Sequence, residues 1–287
     1  MTTGSIDYLV IGHVALDVGA GPPRLGGTAY YAALTAQRLG QRAGMVTRCP
    51  RHVAALLHDA LPSVALHVLP SAEATAFENS YAGDRRQQRL LARADDLDLS
   101  SIPREWGDVP LVHLGPVAQE VEPALLGAFP RSFVGVTPQG WLRRWGDDQI
   151  VGCAAPDFDL ARLGSASAVV FSDEDLCGNE GLARRLAAAA PVSVQTRAGQ
   201  AATLHSPRGQ QRIAAHPTVV VDPTGAGDVF ATAFFVRFAE GAAPDDAVRF
   251  AHVAAALSIA APGSAAIPDR ETIARILQHE ERIANGA

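Results

Sequence analysis

VVVDPTGAGDVFATAFF, residues 219–235, is the stretch of this 287-residue chain that decides its fold. The apolar run 219–221 predicts a buried strand that ends at Asp222, and a helix is predicted to start near Asp228. The residues that allow a tight turn between them are small: Gly225, Ala226 and Gly227. A strand, a turn and a helix in this order are typical of parallel α/β sheets. The unpaired N–H groups at such a helix start bind anions.

Asp228 is an unexpected residue at an anion site, because its carboxylate would repel a bound phosphate. Its placement makes chemical sense if it takes a proton from a hydroxyl group that attacks the phosphate. The alternative is that Asp222 or Asp228 only caps the helix. A dinucleotide fingerprint would need a third Gly where Phe230 stands, and a P-loop would need a Lys. The chain has no Lys, since all 24 basic residues are Arg.

The composition excludes several classes of protein. The net charge is −6, from 24 basic and 30 acidic side chains, and nucleic-acid binding would instead need a basic stripe. No apolar stretch approaches the roughly 20 residues of a membrane helix, and the N-terminus has no secretory signal pattern. Cys49, Cys153 and Cys177 are too few and too far apart to predict a disulfide framework or a metal site. We therefore expect a soluble, cytoplasmic protein without nucleic-acid or membrane partners.

Strand-like apolar runs alternate with helical patterns along the whole chain. Strands are predicted at residues 8–12, 64–69, 111–115, 133–136, 168–172, 192–195 and 219–221. Helices are predicted at 28–39, between Pro50 and Pro62, and at 181–190, 229–239, 245–258 and 269–283. Thr28 is the expected N-cap of the first helix. Strands separated by helices imply right-handed crossovers and a parallel, doubly wound sheet.

A β-hairpin interrupts this alternation. Residues 76–81 and 86–93 flank the Gly-containing turn 82–84 and predict two antiparallel strands. The hairpin is either an edge decoration or a lid over a site, and its pattern does not distinguish the two.

Three segments of the chain resemble one known family. DPTGAGDVF resembles the C-terminal signature of the PfkB-type, ribokinase-like kinases, D-T-x-G-A-G-D-x-F. Residues 247–268 are similar to the family's adenine-binding helix and loop, and LGGTAYYAALTAQRLG (25–40) resembles its N-terminal Gly-Gly helix. The resemblance implies a single ribokinase-like α/β domain over 1–287, with a doubly wound, mostly parallel sheet flanked by helices. It also implies a small discontinuous β-lid at about 13–27 and 74–93.

The resemblance assigns a role to particular residues. Asp228 matches the catalytic base, and the transferred phosphoryl group is expected in an anion hole made by Gly225, Ala226 and Gly227. The residues that match the nucleotide side are Ser172, Thr196, Gly199, Thr224 and His252. The residues that match the substrate side are Asp17, Gly26, Gly27, Asn79 and Gln139. Asp222 and the Thr224 carbonyl match a monovalent-cation site, and Asp175 matches a carboxylate that acts on Mg²⁺ through water.

The sequence departs from the family pattern at several of these positions. The family's N-x-x-E motif appears as Ser172-Asp173-Glu174-Asp175, which keeps a carboxylate of shorter reach. The Lys and Asn of the ribokinase GGKGAN motif are Thr28 and Tyr31, so we expect a cyclitol or hexose as acceptor rather than ribose. Tyr30 and Tyr31 either stack on a substrate ring or pack in the core.

The resemblance implies an ATP-dependent kinase that phosphorylates a hydroxyl group of a small polyhydroxylated substrate. The expected cofactors are ATP, Mg²⁺ and, as in many members of the family, K⁺; the expected partners are the polyol and ATP, and a homodimer is one expected assembly. Two alternatives stay open. A nucleoside kinase of the same fold would use Tyr30 or Tyr31 and Phe77 as stacking faces. A non-catalytic sugar- or nucleotide-binding relative fits the altered motif at 172–175 but not the intact Asp228.

Overall fold

The computed structural model describes residues 5–19, 21–82 and 85–284. The strands are β1 (Tyr8–Ile11), β2 (Ala15–Val18), β3 (Arg24–Gly26), β4 (Ala43–Cys49), β5 (Ala65–Pro70), β6 (Thr75–Ala82), β7 (Arg85–Ala92), β8 (Leu111–Leu114), β9 (Phe133–Val136), β10 (Arg143–Arg144), β11 (Gly152–Cys153), β12 (Ala168–Ser172), β13 (Ser193–Thr196), β14 (Ala202–Ser206) and β15 (Gly209–Ile213). The helices are α1 (Thr28–Arg38), α2 (Arg51–Ala60), α3 (Glu180–Ala189), α4 (Ala226–Ala239), α5 (Pro244–Ser258) and α6 (Arg270–Ala284). Within the described ranges, no helix is long and apolar enough to cross a membrane.

Nine strands form one sheet in the order β15-β14-β13-β12-β9-β8-β1-β4-β5. The strands from β13 to β5 pair in parallel, and β14 and β15 add an antiparallel hairpin at one edge. Alternate residues of a strand point to opposite faces of a sheet. Tyr8 and Val10 accordingly belong to a core shared with α1, α4 and α5, whereas Leu9 and Ile11 belong to a core shared with α3. The predicted doubly wound, mostly parallel sheet is confirmed.

A second, four-stranded sheet has the order β3-β2-β6-β7. The predicted hairpin is present in it as β6 and β7, and β2 pairs in parallel with β6. Ala15, Phe77 and Leu90 bury one face of this sheet against Val117 and Ala118, which follow β8. The small sheet therefore packs beside the carboxyl end of the large one, and its role as a lid stays a prediction.

The prediction of a strand at residues 219–221 is wrong. Val219, Val220 and Val221 have no regular structure and are 79%, 58% and 55% exposed. The place beside β13 where a further strand would pair is occupied by β14, which the sequence analysis did not identify. A short apolar run predicts burial only where a neighbouring strand is free to accept it.

Helix α1 begins one residue earlier than an N-cap at Thr28 implies. Gly27, not Thr28, is its N-cap, with a φ of 82° that other residues rarely adopt. Thr28 is the first helical residue, and its side chain is thereby released for a contact in the site described below.

The expectation that the cysteines form no bridge is also wrong. Cys153 and Cys177 are joined in a disulfide with their Cα atoms 5.9 Å apart, while Cys49 is a buried free thiol. The bridge connects β11 to the turn after β12. The separation of 24 residues hid this proximity, because only the folded topology brings these two segments together.

We predict that the denatured, unreduced protein exposes one reactive thiol and the reduced protein exposes three. Reduction should also destabilise the fold by about 3 kcal/mol, because the bridge closes a loop of some two dozen residues in the unfolded chain. Thiol titration in denaturant and thermal melts with and without reductant would measure both effects. In a Cys49→Ala variant, the number of reactive thiols should fall to zero without reductant and to two with reductant. Three reactive thiols without reductant would contradict the bridge.

Candidate active site

The candidate site begins at the turn between Asp222 and α4. Gly225 is the N-cap of α4 with a φ of 79°, and no side chain caps this helix. Of the predicted anion-hole amides, Ala226 donates its N–H to the Pro223 carbonyl at 3.2 Å and is therefore engaged in the turn. Within the described part of the chain, the N–H groups of Gly227 and Asp228 have no hydrogen-bond acceptor. These two amides, at the positive end of the helix dipole, remain suited to an anion.

Asp228 lies in the first turn of α4, and other carboxylates lie near its side chain. Burial raises the pKa of Asp228 to about 6, and the charges of Asp175 and Asp17 act in the same direction. A hydrogen bond from the Thr28 side chain and the charge of Arg143 oppose this rise. A carboxylate with a pKa near neutrality is a suitable general base at physiological pH.

The predicted substrate residues Asp17, Gly26, Gly27 and Asn79 come together beside Asp228. The side-chain amide of Asn79 donates to Asp17 Oδ1 at 3.2 Å and accepts from Gln88 at 3.0 Å. Gly26 lies directly against the Asp17 carboxylate, since a Cβ atom there would be 2.6 Å from Oδ2. The arrangement presents a carboxylate and an amide from β2 and β6, groups that together donate to and accept from hydroxyls.

Gln139, the remaining predicted substrate residue, lies next to Asp175. Its amide donates to Asp175 Oδ1 at 3.0 Å, because β9 and β12 are neighbours and both end at this edge of the sheet. Asp175 Oδ2 accepts from the Ser172 N–H and hydroxyl, each at 2.9 Å. Both carboxylate oxygens are thus oriented by protein donors. This orientation of Asp175 fits a carboxylate that holds Mg²⁺ through water. Within the described ranges, no group of three or more His, Cys, Asp or Glu residues could hold a metal ion directly.

Thr196 is the last residue of β13 and pairs with Ser172, and Gly199 follows the strand on the same edge of the sheet. The Thr196 hydroxyl donates to the Phe171 carbonyl at 3.4 Å. Between them, Arg197 forms an ion pair with Asp173 at 2.9 Å. The predicted nucleotide loop and the Ser172–Asp175 turn are therefore tied together.

Asp222 connects two loops through hydrogen bonds. Its Oδ1 accepts from the Thr224 N–H at 3.0 Å and its Oδ2 from the Gly263 N–H at 2.9 Å. Partial burial opposes its charge, but these hydrogen bonds hold the pKa of Asp222 below its usual range. Asp222 is therefore ionised at neutral pH.

His252, which the resemblance places near the nucleotide, is buried. It is 7% exposed and packs edge-on against Phe230 with the ring centroids 5.0 Å apart, in the contact between α4 and α5. Burial lowers the pKa of His252 to about 4, so its ring is neutral at pH 7.

Sequence reasoning missed Arg143 and the role of Thr28. The Arg143 guanidinium lies 5.2 Å from the centroid of the Phe77 ring and donates to the Val117 carbonyl at 2.8 Å. No motif marks Arg143 in the sequence, because its contacts with Phe77 and Val117 join segments that lie far apart in the chain. Thr28 carried a signal, its place directly after Gly26-Gly27, but its partner Asp228 is 200 residues away.

Part of the chain is similar to known proteins. Residues 174–271 match the family model described as pfkB family carbohydrate kinase. Ribokinase of Arabidopsis thaliana is 42% identical over 60 residues, which cover 21% of this chain and 16% of that protein. The bifunctional protein HldE of Bradyrhizobium sp. (strain ORS 278) is 38% identical over 72 residues, which cover 25% and 15%. The matched stretches thus span less than a fifth of these curated relatives.

Solved structures match over almost the whole chain. A pyrophosphate-dependent kinase in the ribokinase family, complexed with a pyrophosphate analog and myo-inositol, has a TM-score of 0.78 at 21% identity, covering 94% of this chain and 99% of its own. Arabidopsis thaliana ribokinase complexed with ribose and ATP has a TM-score of 0.72 at 17% identity, covering 96% and 99%. Fructokinase from Vibrio cholerae O395, with fructose, ADP and calcium bound, has a TM-score of 0.73 at 21% identity, covering 96% and 100%. These likenesses establish the shared fold.

Proposed function

We propose that this chain, which has the ribokinase-like fold and a PfkB-family match over residues 174–271, is a kinase that phosphorylates a hydroxyl group of a small polyol. The observation that carries the proposal is the position of Asp228. Asp228 combines a pKa of about 6 with two helix amides that have no acceptor within the described ranges, and the Asp17 carboxylate, which accepts from Asn79, is close enough to raise its pKa. A base between an anion site and a hydroxyl-binding site is the arrangement that phosphoryl transfer to an alcohol requires.

The mechanism uses each of these groups once. Asp17 and Asn79 orient the acceptor, so that one hydroxyl reaches Asp228. Asp228 takes the proton of that hydroxyl as the hydroxyl oxygen attacks phosphorus. The bond between phosphorus and the bridging oxygen of the donor breaks, and the rest of the donor leaves with the electron pair. The Gly227 and Asp228 amides stabilise the charge that develops on the transferred group. Asp175 would hold Mg²⁺ through water, and the ion would further neutralise phosphate charge.

The acceptor we propose is a neutral ring polyol, a cyclitol or a hexose. Asp17, Asn79 and Gln88 form a chain of polar side chains suited to neighbouring hydroxyls. The nucleoside alternative is weakened, because Tyr30, Tyr31 and Phe77 are only 8%, 4% and 3% exposed and pack in the protein rather than offering stacking faces.

The donor we propose is ATP, with pyrophosphate as a second candidate. His252, which was expected near the adenine, is buried against Phe230 and is not presented to a ligand. A site that binds only phosphates would not need an adenine contact. The pyrophosphate-dependent kinase among the structural neighbours supports testing this donor.

The proposal is tested by incubating the protein and Mg²⁺ with ATP or pyrophosphate and a panel of acceptors. We expect phosphorylated product from a cyclitol or hexose, detected by mass spectrometry, at higher kcat/KM than from ribose or any nucleoside. K⁺ should raise the rate over Na⁺ if Asp222 and the Thr224 carbonyl hold a cation. Ribose as the best acceptor would contradict the acceptor class. Binding of a polyol without turnover by either donor would instead support a non-catalytic binding protein.

A further inference from the structure

The small four-stranded sheet is joined to the rest of the protein by four connections in the described part of the chain. The connections are residues 12–14 between β1 and β2, Gly27 between β3 and α1, 71–74 between β5 and β6, and the segment that follows β7 from residue 93. The contacts of one fully buried residue, His13, bring these four connections together.

The hydrogen bonds of the His13 ring have one consistent direction. Nε2 lies 2.9 Å from the Asp95 carbonyl oxygen, which only accepts, so this nitrogen carries the hydrogen. Burial lowers the pKa of His13, so the ring is neutral at physiological pH and Nδ1 is an acceptor. The Thr75 hydroxyl therefore donates to Nδ1 at 2.7 Å, while Thr75 Oγ1 accepts from the Ala94 N–H at 3.1 Å. The first residue of β6 and the segment after β7 are thus both bound to the connection between β1 and β2.

The backbone of His13 makes the remaining contacts. Its N–H donates to Glu120 Oε1 at 2.9 Å, and its carbonyl oxygen would lie 3.0 Å from a Cβ atom at Gly27. Glu120 is also fully buried and accepts from the N–H groups of Val117 at 3.0 Å and Ala118 at 2.7 Å. Because the small sheet packs against Val117 and Ala118, its packing surface is fixed at the same point as its connections.

His13, Thr75 and Glu120, here called the His13 cluster, lie at the base of the strands that carry the proposed acceptor-binding groups. Asp17 is four residues beyond His13 in β2, Asn79 is four residues beyond Thr75 in β6, and the two strands pair in parallel. Four residues of extended chain span roughly 13 Å. Over that length, a rotation of about 5° at the cluster would move both side chains by about 1 Å, a displacement that can lower the rate of a reaction by about 100-fold.

A separate contact holds the edge of the small sheet. The Leu90 N–H donates to the Gln149 carbonyl and the Val151 N–H donates to the Gln88 carbonyl, each at 2.9 Å. These hydrogen bonds reach β7 from the side, whereas the bases of β2 and β6 are held by the His13 cluster. Loss of a hydrogen bond in the cluster should therefore loosen the small sheet without detaching it.

We propose that the His13 cluster fixes the orientation of the small sheet relative to the large one, and so holds Asp17 and Asn79 at the distance from Asp228 that phosphoryl transfer requires. His13 and Thr75 are fully buried, so they are positioning residues that act through β2 and β6. This inference rests on the proposed function.

The test compares Thr75→Val with Ser101→Ala. Thr75→Val keeps the shape of the side chain but leaves His13 Nδ1 without its donor and the Ala94 N–H without its acceptor. Ser101 is a matched control, because its buried hydroxyl also accepts from a backbone N–H, that of Asp98 at 3.2 Å, and donates to a side chain, Asp98 Oδ1 at 2.9 Å. Both variants should melt below the wild type, since each loses buried hydrogen bonds.

The kinetic constants should separate the two variants at temperatures well below their melting points. In Thr75→Val, kcat/KM for the acceptor should fall about 10- to 100-fold and the acceptor Kd should rise. The donor Kd and the slow hydrolysis of the donor by water depend on groups of the large sheet and should stay within about twofold of the wild type. His13→Gln, which keeps a donor but not the ring acceptor, should give the same pattern. Thr75→Ser should restore the acceptor constants, and Ser101→Ala should leave all of them unchanged.

Residual dipolar couplings measure the orientation of the sheets without any substrate. In the wild type and in Ser101→Ala, the amides of β2 and β6 should fit the same alignment tensor as those of β1 and β8. In Thr75→Val, the couplings of β2 and β6 should be smaller or should require a second tensor. One common tensor in Thr75→Val would overturn the inference, as would equal losses for acceptor and donor. If the wild type phosphorylates no acceptor, the proposed function fails, and the couplings still decide whether the His13 cluster orients the small sheet.

Discussion

Replacing Asp228 with asparagine is expected to lower kcat by a factor of about 10²–10⁴, the usual contribution of a general base. Asparagine has nearly the same shape and can still accept the hydrogen bond from Thr28, but it cannot take a proton. Donor affinity should stay equal or improve, since one negative charge beside the phosphates is removed. Steady-state kinetics with the best acceptor would measure the loss.

The same substitution should stabilise the protein at high pH. The pKa of Asp228 is about 6 in the folded protein and 3.8 without the fold, so its ionisation opposes folding. The stability due to the neutral form is complete below pH 3.8 and is lost as the pH rises through about 6. The difference between these two pKa values corresponds to at most about 3 kcal/mol in the free energy of unfolding. Asp228→Asn should therefore melt at a higher temperature than the wild type at pH 8 and at the same temperature near pH 3.5.

Two controls accompany this variant. The kcat/KM of the wild type should rise with pH through about 6, because the base must be ionised. Asp159→Asn alters an exposed cap outside the site, and asparagine caps as well as aspartate, so rate and stability should not change. A kcat of Asp228→Asn within a few-fold of the wild type would show that Asp228 is not the base.

The sequence predicts local structure well where residue spacing determines it. The helix expected at 245–258 is observed as α5 (Pro244–Ser258), and the strand expected at 168–172 is observed as β12 (Ala168–Ser172). The strand expected at 219–221 fails because pairing is a property of the whole sheet, and β14 already occupies the position beside β13. Apolar character alone does not identify the free partner.

The candidate site likewise contains residues that the sequence reveals and contacts that it does not. The signature around Asp228 carries the base and its helix in one continuous segment, so both are visible in the sequence. The hydrogen bond from Gln139 to Asp175 is not visible in the sequence, because the order of β9 and β12 in the sheet decides which side chains meet. Arg143 acts on Asp228 from a different part of the chain, and such contacts follow only from the tertiary structure.

Gly225→Ala is expected to have the second large effect, on stability as well as activity. The φ of 79° at Gly225 is unfavourable for alanine, and the new methyl group would lie 2.4–2.7 Å from the Tyr31 ring. The backbone conformation and the overpacking together should cost about 2–5 kcal/mol. The displaced turn also moves the Gly227 and Asp228 amides, and loss of one such donor typically costs about 10²–10³ in kcat. Thermal melts and steady-state kinetics would measure both losses.

Gly227→Ala is the matched control for stability. A Cβ atom there meets no other atom within 4 Å and Gly227 has no positive φ, so alanine should raise stability by up to about 1 kcal/mol through its helix propensity. Combining Gly225→Ala with Tyr31→Ala separates the two causes of the stability loss in Gly225→Ala, namely the strained φ and the overpacking against the Tyr31 ring. The double variant should lose less than the sum of the single variants, because removal of the ring relieves the overpacking but not the strained φ. Strict additivity would show that the ring does not rest on the catalytic turn, and a melting temperature of Gly225→Ala equal to that of the wild type would contradict the geometry of the turn itself.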